Sequence, residues 1–213
     1  KASSIKPDYA EAYNNMGNAL GEQGKLDKAI DAYNKALSIN PDYAEAYNNM
    51  GVIHQEQGKL DKAIDAYKKA LSINPDYAEA FINLGNALRE QDKLDKAIDA
   101  YNKALSINPD YAETYNNMGI TFQNQGKLDE AIDAYKKAIS IKPDFPGTYK
   151  NIGNALARVR FTKPDRDLQK TIISILNRKT YARPSDIASA AISLLKFEPN
   201  LQKHLQLGDD NIK

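Results

Sequence analysis

Proline stands at residues 7, 41, 75, 109 and 143, and each is followed by aspartate and then an aromatic: Tyr9, Tyr43, Tyr77, Tyr111 and Phe145. The spacing is 34 residues every time. A fixed period of this length restricts the chain to an array of stacked supersecondary units. Each unit is too small to bury its own apolar face and leans on its sequence neighbours. Full units run 10–43, 44–77, 78–111 and 112–145. Residues 1–9 have the pattern of the tail of an earlier unit, and 146–160 that of the first half of a fifth.

Each unit has the pattern of two helices. Proline cannot continue a preceding helix, so "PDYAE" marks a fresh start. The expectation there is a capping box, with Asp8, Asp42, Asp76 and Asp110 paired to Glu11, Glu45, Glu79 and Glu113. Gly24, Gly58 and Gly126 should end the first helix in the left-handed conformation, with Asp92 taking that place in the third unit at some cost. In the second helix Leu26, Ala29, Ile30, Tyr33, Ala36 and Leu37 keep helical spacing. Asp31/Lys35, Asp65/Lys69, Asp99/Lys103 and Asp133/Lys137 are expected to pair across one turn.

The motif "YNNMG" at 13–17 recurs at 47–51 and 115–119, with "FINLG" at 81–85 and "YKNIG" at 149–153. Tyr13 and Met16 are expected in the core, and Gly17 should admit a close neighbour, as should Ala29 and Ala36. With Tyr47, Met50, Gly51, Ala63, Tyr67, Ala70 and Pro75 in the second unit, the pattern resembles the tetratricopeptide repeat family. The leading aromatic, usually tryptophan in that family, is Tyr or Phe here. The resemblance covers about residues 1–160 and implies an all-α fold. That fold is a right-handed superhelical solenoid of helical hairpins, followed by a C-terminal helical cap or connector over 161–213.

Packing does not account for the polar pair in the motif. The second asparagine persists as Asn15, Asn49, Asn83, Asn117 and Asn151. The first position holds Asn14, Asn48, Ile82, Asn116 and Lys150, and the position four residues after it holds Asn18, Val52, Asn86, Ile120 and Asn154. In the family that the chain resembles, first helices line a concave groove, which implies that these positions face a ligand. An amide both donates and accepts, so it can pair with peptide backbone whatever the side chains are. Helices about 10 Å apart, against about 3.3 Å per extended residue, would let one asparagine meet roughly every third peptide residue. The alternative use is packing between units, and the sequence leaves both open.

The expected function is a protein-binding or peptide-binding scaffold that holds an extended segment. The unbroken ladder, and "IKPDFPGTYKNIGNAL" at 141–156, are also similar to the repeats that precede the catalytic region in the O-linked N-acetylglucosamine transferase family. That similarity implies the alternative of a non-catalytic recruiting arm of a multidomain transferase. The basic carboxylate clamp known among these repeats is not expected, because the second position of each full unit is Glu11, Glu45, Glu79 or Glu113. Arg89, Lys150 and Arg158 give the later part a basic tint.

The chain itself shows no catalytic pattern. Of its 2 histidines, His54 replaces the Leu20, Leu88 or Phe122 of other units, a packing place, and His204 stands alone. There is no phosphate loop and no metal-spaced cluster, so neither cofactor nor metal is expected. The absence of cysteine excludes disulfides. With 29 basic and 28 acidic residues the net charge is +1, which points to neither nucleic acid nor an anionic membrane.

Beyond residue 160 the period fails. Helices are expected at about 164–178, with Leu168, Ile172, Ile175 and Leu176 as its stripe, at about 184–196, and after Pro199. At the other end "KASSI" resembles the inside of a second helix, as in a piece of a longer protein. Self-association through Ala2, Ile5 and the helix near Ala10 is therefore expected.

Overall fold

A computed structural model describes residues 7–158 and 166–177. The described residues form ten helices and no strand. They fall into two compact units, Lys1–Asp110 and Tyr111–Lys213.

The first unit holds α1 (Pro7–Glu22), α2 (Leu26–Ile39), α3 (Ala44–Glu56), α4 (Leu60–Ile73), α5 (Ala78–Glu90) and α6 (Leu94–Ile107). They pack as hairpins α1–α2, α3–α4 and α5–α6, with α2 against α3 and α4 against α5. Contacts confined to neighbours are what a 34-residue period requires. Alanines 29, 36, 63, 70, 97 and 104 are fully buried on the second helices, where small side chains bring the backbones together. Ile53 reaches back from α3 onto Ala29 and Tyr33, with Leu20, Ile30 and Met50 around it. Met16, expected in the core like its equivalent Met50, is instead 49% exposed. Its side of α1 meets no described helix.

The second unit holds α7 (Ala112–Asn124), α8 (Leu128–Ile141), α9 (Pro146–Leu156) and α10 (Arg166–Asn177). Its core joins Ile132 and Tyr135 of α8, Tyr149, Ile152 and Leu156 of α9, and Leu168 and Ile172 of α10. The Tyr149 hydroxyl donates to the Pro143 carbonyl at 2.9 Å, which ties the start of α9 to the turn before it. The expected helix at 164–178 is therefore α10, two of whose stripe residues are core. Those expected at 184–196 and after Pro199, and Ala2 and Ile5, lie outside the described residues.

Two local expectations are corrected. The helices after the prolines begin at Ala44, Ala78 and Ala112, with Tyr43, Tyr77 and Tyr111 as the residue before and no side-chain cap. The aspartate thus lies too early to close a capping box with its glutamate. The turn is held instead from the asparagine before proline: the N–H of Asp42, Asp76 and Asp110 donates to Oδ1 of Asn40, Asn74 and Asn108 at 3.1–3.2 Å. This local side-chain bond mimics a backbone turn. Nor do the charge pairs four residues apart close among the described residues. The ion pair found is Asp133 with Lys136, three apart at 3.4 Å, and Lys35 lies over the Tyr13 ring.

Between helices of a hairpin, Gly24, Gly58 and Gly126 adopt φ of +70°, +71° and +75°, and Asp92 adopts +59°. Only Asp92 has a Cβ to strain there. Asp92→Gly is expected to raise stability by about 0.5–1 kcal/mol. Equal denaturation midpoints for the two proteins would contradict this.

Candidate functional site

The first helices carry every residue that the sequence offers to a ligand. In the first unit the two asparagines of the motif bond to each other across neighbouring helices. Asn49 Nδ2 donates to Asn14 Oδ1 at 3.2 Å and to Asn18 Oδ1 at 3.1 Å. One step on, Asn83 Nδ2 donates to Asn48 Oδ1 at 3.0 Å. Asn14 is 0% exposed and Asn48 is 1%. Asn14 Nδ2 also donates to Glu45 Oε1 at 3.2 Å. Asn15, on α1, is exposed. In the second unit Asn151 Nδ2 donates to Asn116 Oδ1 at 3.0 Å. There Asn116 and Asn117 are buried, while Lys150 and Asn154 are exposed. The recurrence of asparagine at both positions therefore has a structural use: the second of one repeat seats on the first of the repeat before.

Asn18 and Asn86 have a further task. Each second helix drops a buried tyrosine ring onto the glycine of its own first helix. A Cβ on Gly51 would lie 2.8 Å from Tyr67 Cδ1, and one on Gly85 2.7 Å from Tyr101 Cδ1. The tyrosine hydroxyl then needs an acceptor, since an unpaired buried hydroxyl is costly. Tyr33 and Tyr101 donate to Asn18 and Asn86 Oδ1 at 2.7 and 2.8 Å. In the second and fourth repeats Val52 and Ile120 occupy the asparagine's place. There Tyr67 and Tyr135 donate instead to Gln55 and Gln123 Oε1 at 2.9 and 3.0 Å. These two glutamines escaped the sequence reading. The signal was available: glutamine follows three residues after the place in the units where asparagine is lost.

Burial raises the affinity of the Tyr33, Tyr67 and Tyr77 hydroxyls for their protons, with nearby carboxylates adding to it. Tyr33 is pushed up to about 12 by burial, then by Glu56 and Glu45. Tyr77 reaches about 12 through burial, then Glu79 and Glu45. Tyr67 is raised by burial, then by Glu90, Glu56 and Glu79. A neutral acid whose folded pKa lies above its unfolded value near 10 stabilises the fold fully below pH 10. That contribution is lost as pH rises toward about 12. The denaturation midpoint should therefore fall over this window, and fall less steeply in Tyr33→Phe. Identical slopes would contradict the assignment. His54 is half-buried in its packing place. Burial, then Lys62 and Lys59, lowers its imidazole pKa.

Between α3 and α5 of the first unit an open groove of about 370 Å³ remains. Val52, Gln55, Glu56, Tyr67, Asn83, Asn86 and Glu90 line it. Gln55 Nε2 donates to Glu90 Oε1 at 2.6 Å across it. Among the described residues no group of three or more His, Cys, Asp or Glu could hold a metal ion. No described helix is long and apolar enough to cross a membrane.

Models of the tetratricopeptide repeat match residues 42–110 and 76–144, and another matches residues 1–31. A further TPR repeat model matches residues 17–58. No curated protein matches. Among solved structures, the crystal structure of MamA is 32% identical with a TM-score of 0.65, over 76% of this chain and 94% of that one. YrrB, a TPR protein with an unusual peptide-binding site, is 25% identical with a TM-score of 0.59, over 78% of this chain and 90% of that one. PilF of Pseudomonas aeruginosa has the same fold at 20% identity, with a TM-score of 0.67 over 95% of this chain and 98% of that one.

Proposed function

The chain belongs to the tetratricopeptide repeat family, and from that premise we propose that it is a protein-binding module holding an extended segment of its partner along its first helices. The observation that carries the reading is the groove between α3 and α5, whose lining mixes an aliphatic and an aromatic side chain with amides and carboxylates. Such a lining suits a polypeptide, which brings backbone donors and acceptors in alternation. The relative with a peptide-binding site supports the same reading.

The proposal shifts weight among the asparagines. Asn14, Asn48 and Asn116 serve the seam between repeats. Asn83 and Asn86, with Gln55, line the open surface. Asn15, Asn49, Asn117, Asn151, Asn18, Asn154 and Lys150 remain candidates at equivalent registers of the first helices. Residues 161–213 are assigned to a cap or connector that follows the repeats.

Two measurements test this. Asn48→Ala strands the Asn83 amide and should cost about 1–2 kcal/mol of stability. A variant as stable as the parent would mean that the seam is not its role. For binding, a random peptide display library is panned on the immobilised chain, and selected peptides are titrated by calorimetry. Peptides should bind the parent, and Val52→Trp, which fills the groove without adding charge, should weaken them about tenfold at unchanged melting temperature. Equal affinity for the filled variant, or no enrichment at all, would overturn the groove reading.

A further inference from the structure

In the first unit the two kinds of helix divide the charge between them. α1, α3 and α5 expose Glu11, Glu22, Glu45, Glu56, Glu79 and Glu90, against one fixed cation, the half-buried Arg89. The lysines of α2, α4 and α6 lie on the second helices, mixed with aspartates. Among the described residues none of those six glutamates has a lysine or arginine nitrogen within salt-bridge distance. Glu56 and Glu90 border the groove, and Gln55 holds Glu90 in place from inside it. On the groove floor the proton of Tyr67 is held more tightly by burial and then by Glu90, Glu56 and Glu79, so three carboxylates sum their field at one point. Glu22 repeats their register one helix earlier.

We propose that this groove takes a basic extended segment, whose lysine or arginine side chains seat between the carboxylates of Glu56 and Glu90. The inference rests on the groove reading above and adds the charge of the occupant. A low-dielectric wall lined by one sign of charge attracts the opposite sign and excludes its own. Carboxylates in one register on successive first helices stand about 10 Å apart, which an extended chain covers in about three residues. The fitting partner therefore carries a basic residue at every third position, with small polar residues between.

The test uses the full chain and three labelled dodecamers of serine and threonine, with lysine, glutamine or glutamate at every third position. Fluorescence anisotropy is read at about 50 and about 300 mM NaCl. The lysine peptide should bind about tenfold more tightly than the glutamine peptide at low salt, with the glutamate peptide weakest, and the preference should shrink at high salt. Glu56→Gln combined with Glu90→Gln should reduce the preference to about threefold or less while leaving the glutamine peptide unchanged. Circular dichroism confirms that the double variant is folded. Equal binding of the lysine and glutamine peptides, or a preference that survives the double variant, overturns the charge inference and leaves the groove reading standing. If none of the three peptides binds, both fall.

Discussion

Gly85→Leu is expected to destabilise the protein by about 3 kcal/mol. In an exposed helix, replacing glycine gains stability, because glycine loses the most backbone freedom on folding. Here that gain is overwhelmed. Even a single added carbon would stand 2.7 Å from Cδ1 of the Tyr101 ring. That ring is 0% exposed and its hydroxyl is bonded to Asn86, so it has no open side to move toward. Gly85→Ala should already cost about 1–2 kcal/mol. Gly58→Ala supplies the contrast: no atom lies within 4 Å of its added carbon, but its φ is +71°. Its cost, about 1 kcal/mol, would come from backbone strain alone. Denaturant titration of the three variants measures the order. Pairing Gly85→Ala with Tyr101→Ala should show coupling of about 1 kcal/mol or more, since the second change removes the obstacle. A Gly85→Leu midpoint equal to the parent's would mean that the ring does not lie where the structure puts it.

Leu168→Ala and Ile172→Ala should each cost about 2–4 kcal/mol. At 1% and 4% exposed, both side chains sit in the core with Ile132, Tyr135, Tyr149, Ile152 and Leu156. Truncation leaves a cavity that these neighbours fill only in part. Ile173, next in sequence but 57% exposed, is the control, and Ile173→Ala should stay within about 0.5 kcal/mol. This contrast separates a cap from a tether. A tether beyond the repeats could be trimmed or altered without effect, whereas a cap covers apolar surface that every repeat array must close. Deleting 164–213 should accordingly lower both stability and solubility. Parent-like behaviour of the truncated protein would remove the cap proposal.

The hairpins and their left-handed junctions were legible in the sequence because each depends on one residue type in one place. Gly24, Gly58, Gly126 and the exceptional Asp92 all stand at positive φ. The turn between repeats was misread for a reason of offset. Aspartate and glutamate three apart have the composition of a capping box, but these helices start two residues after the aspartate. The asparagine before proline, which holds the turn, carries no signature until the backbone is known. The asparagines were harder still. Their partners lie 31 or 35 residues away, so a single unit does not reveal that two amides meet. The opposite-charge pairs failed to close because lysine loses rotamer freedom in holding an exposed partner and gains little in water.

The tyrosine hydroxyls carry a consequence for how such a chain can vary. Each finds its acceptor within its own hairpin, at either of two places one helical turn apart. When one place becomes aliphatic the other takes over, so the surface can be rewritten while the interior stays satisfied. A hairpin is thus a self-sufficient cassette as far as its buried ring is concerned. The asparagine seam obeys the opposite logic, because its donor and acceptor belong to different cassettes. Reordering the hairpins would leave every hydroxyl served, whereas each seam bond depends on the repeat that comes before, and Ile82 offers no acceptor to whichever repeat follows it. A change at a hydroxyl's acceptor is therefore absorbed within its own repeat, whereas a change at the seam is felt by the repeat that follows.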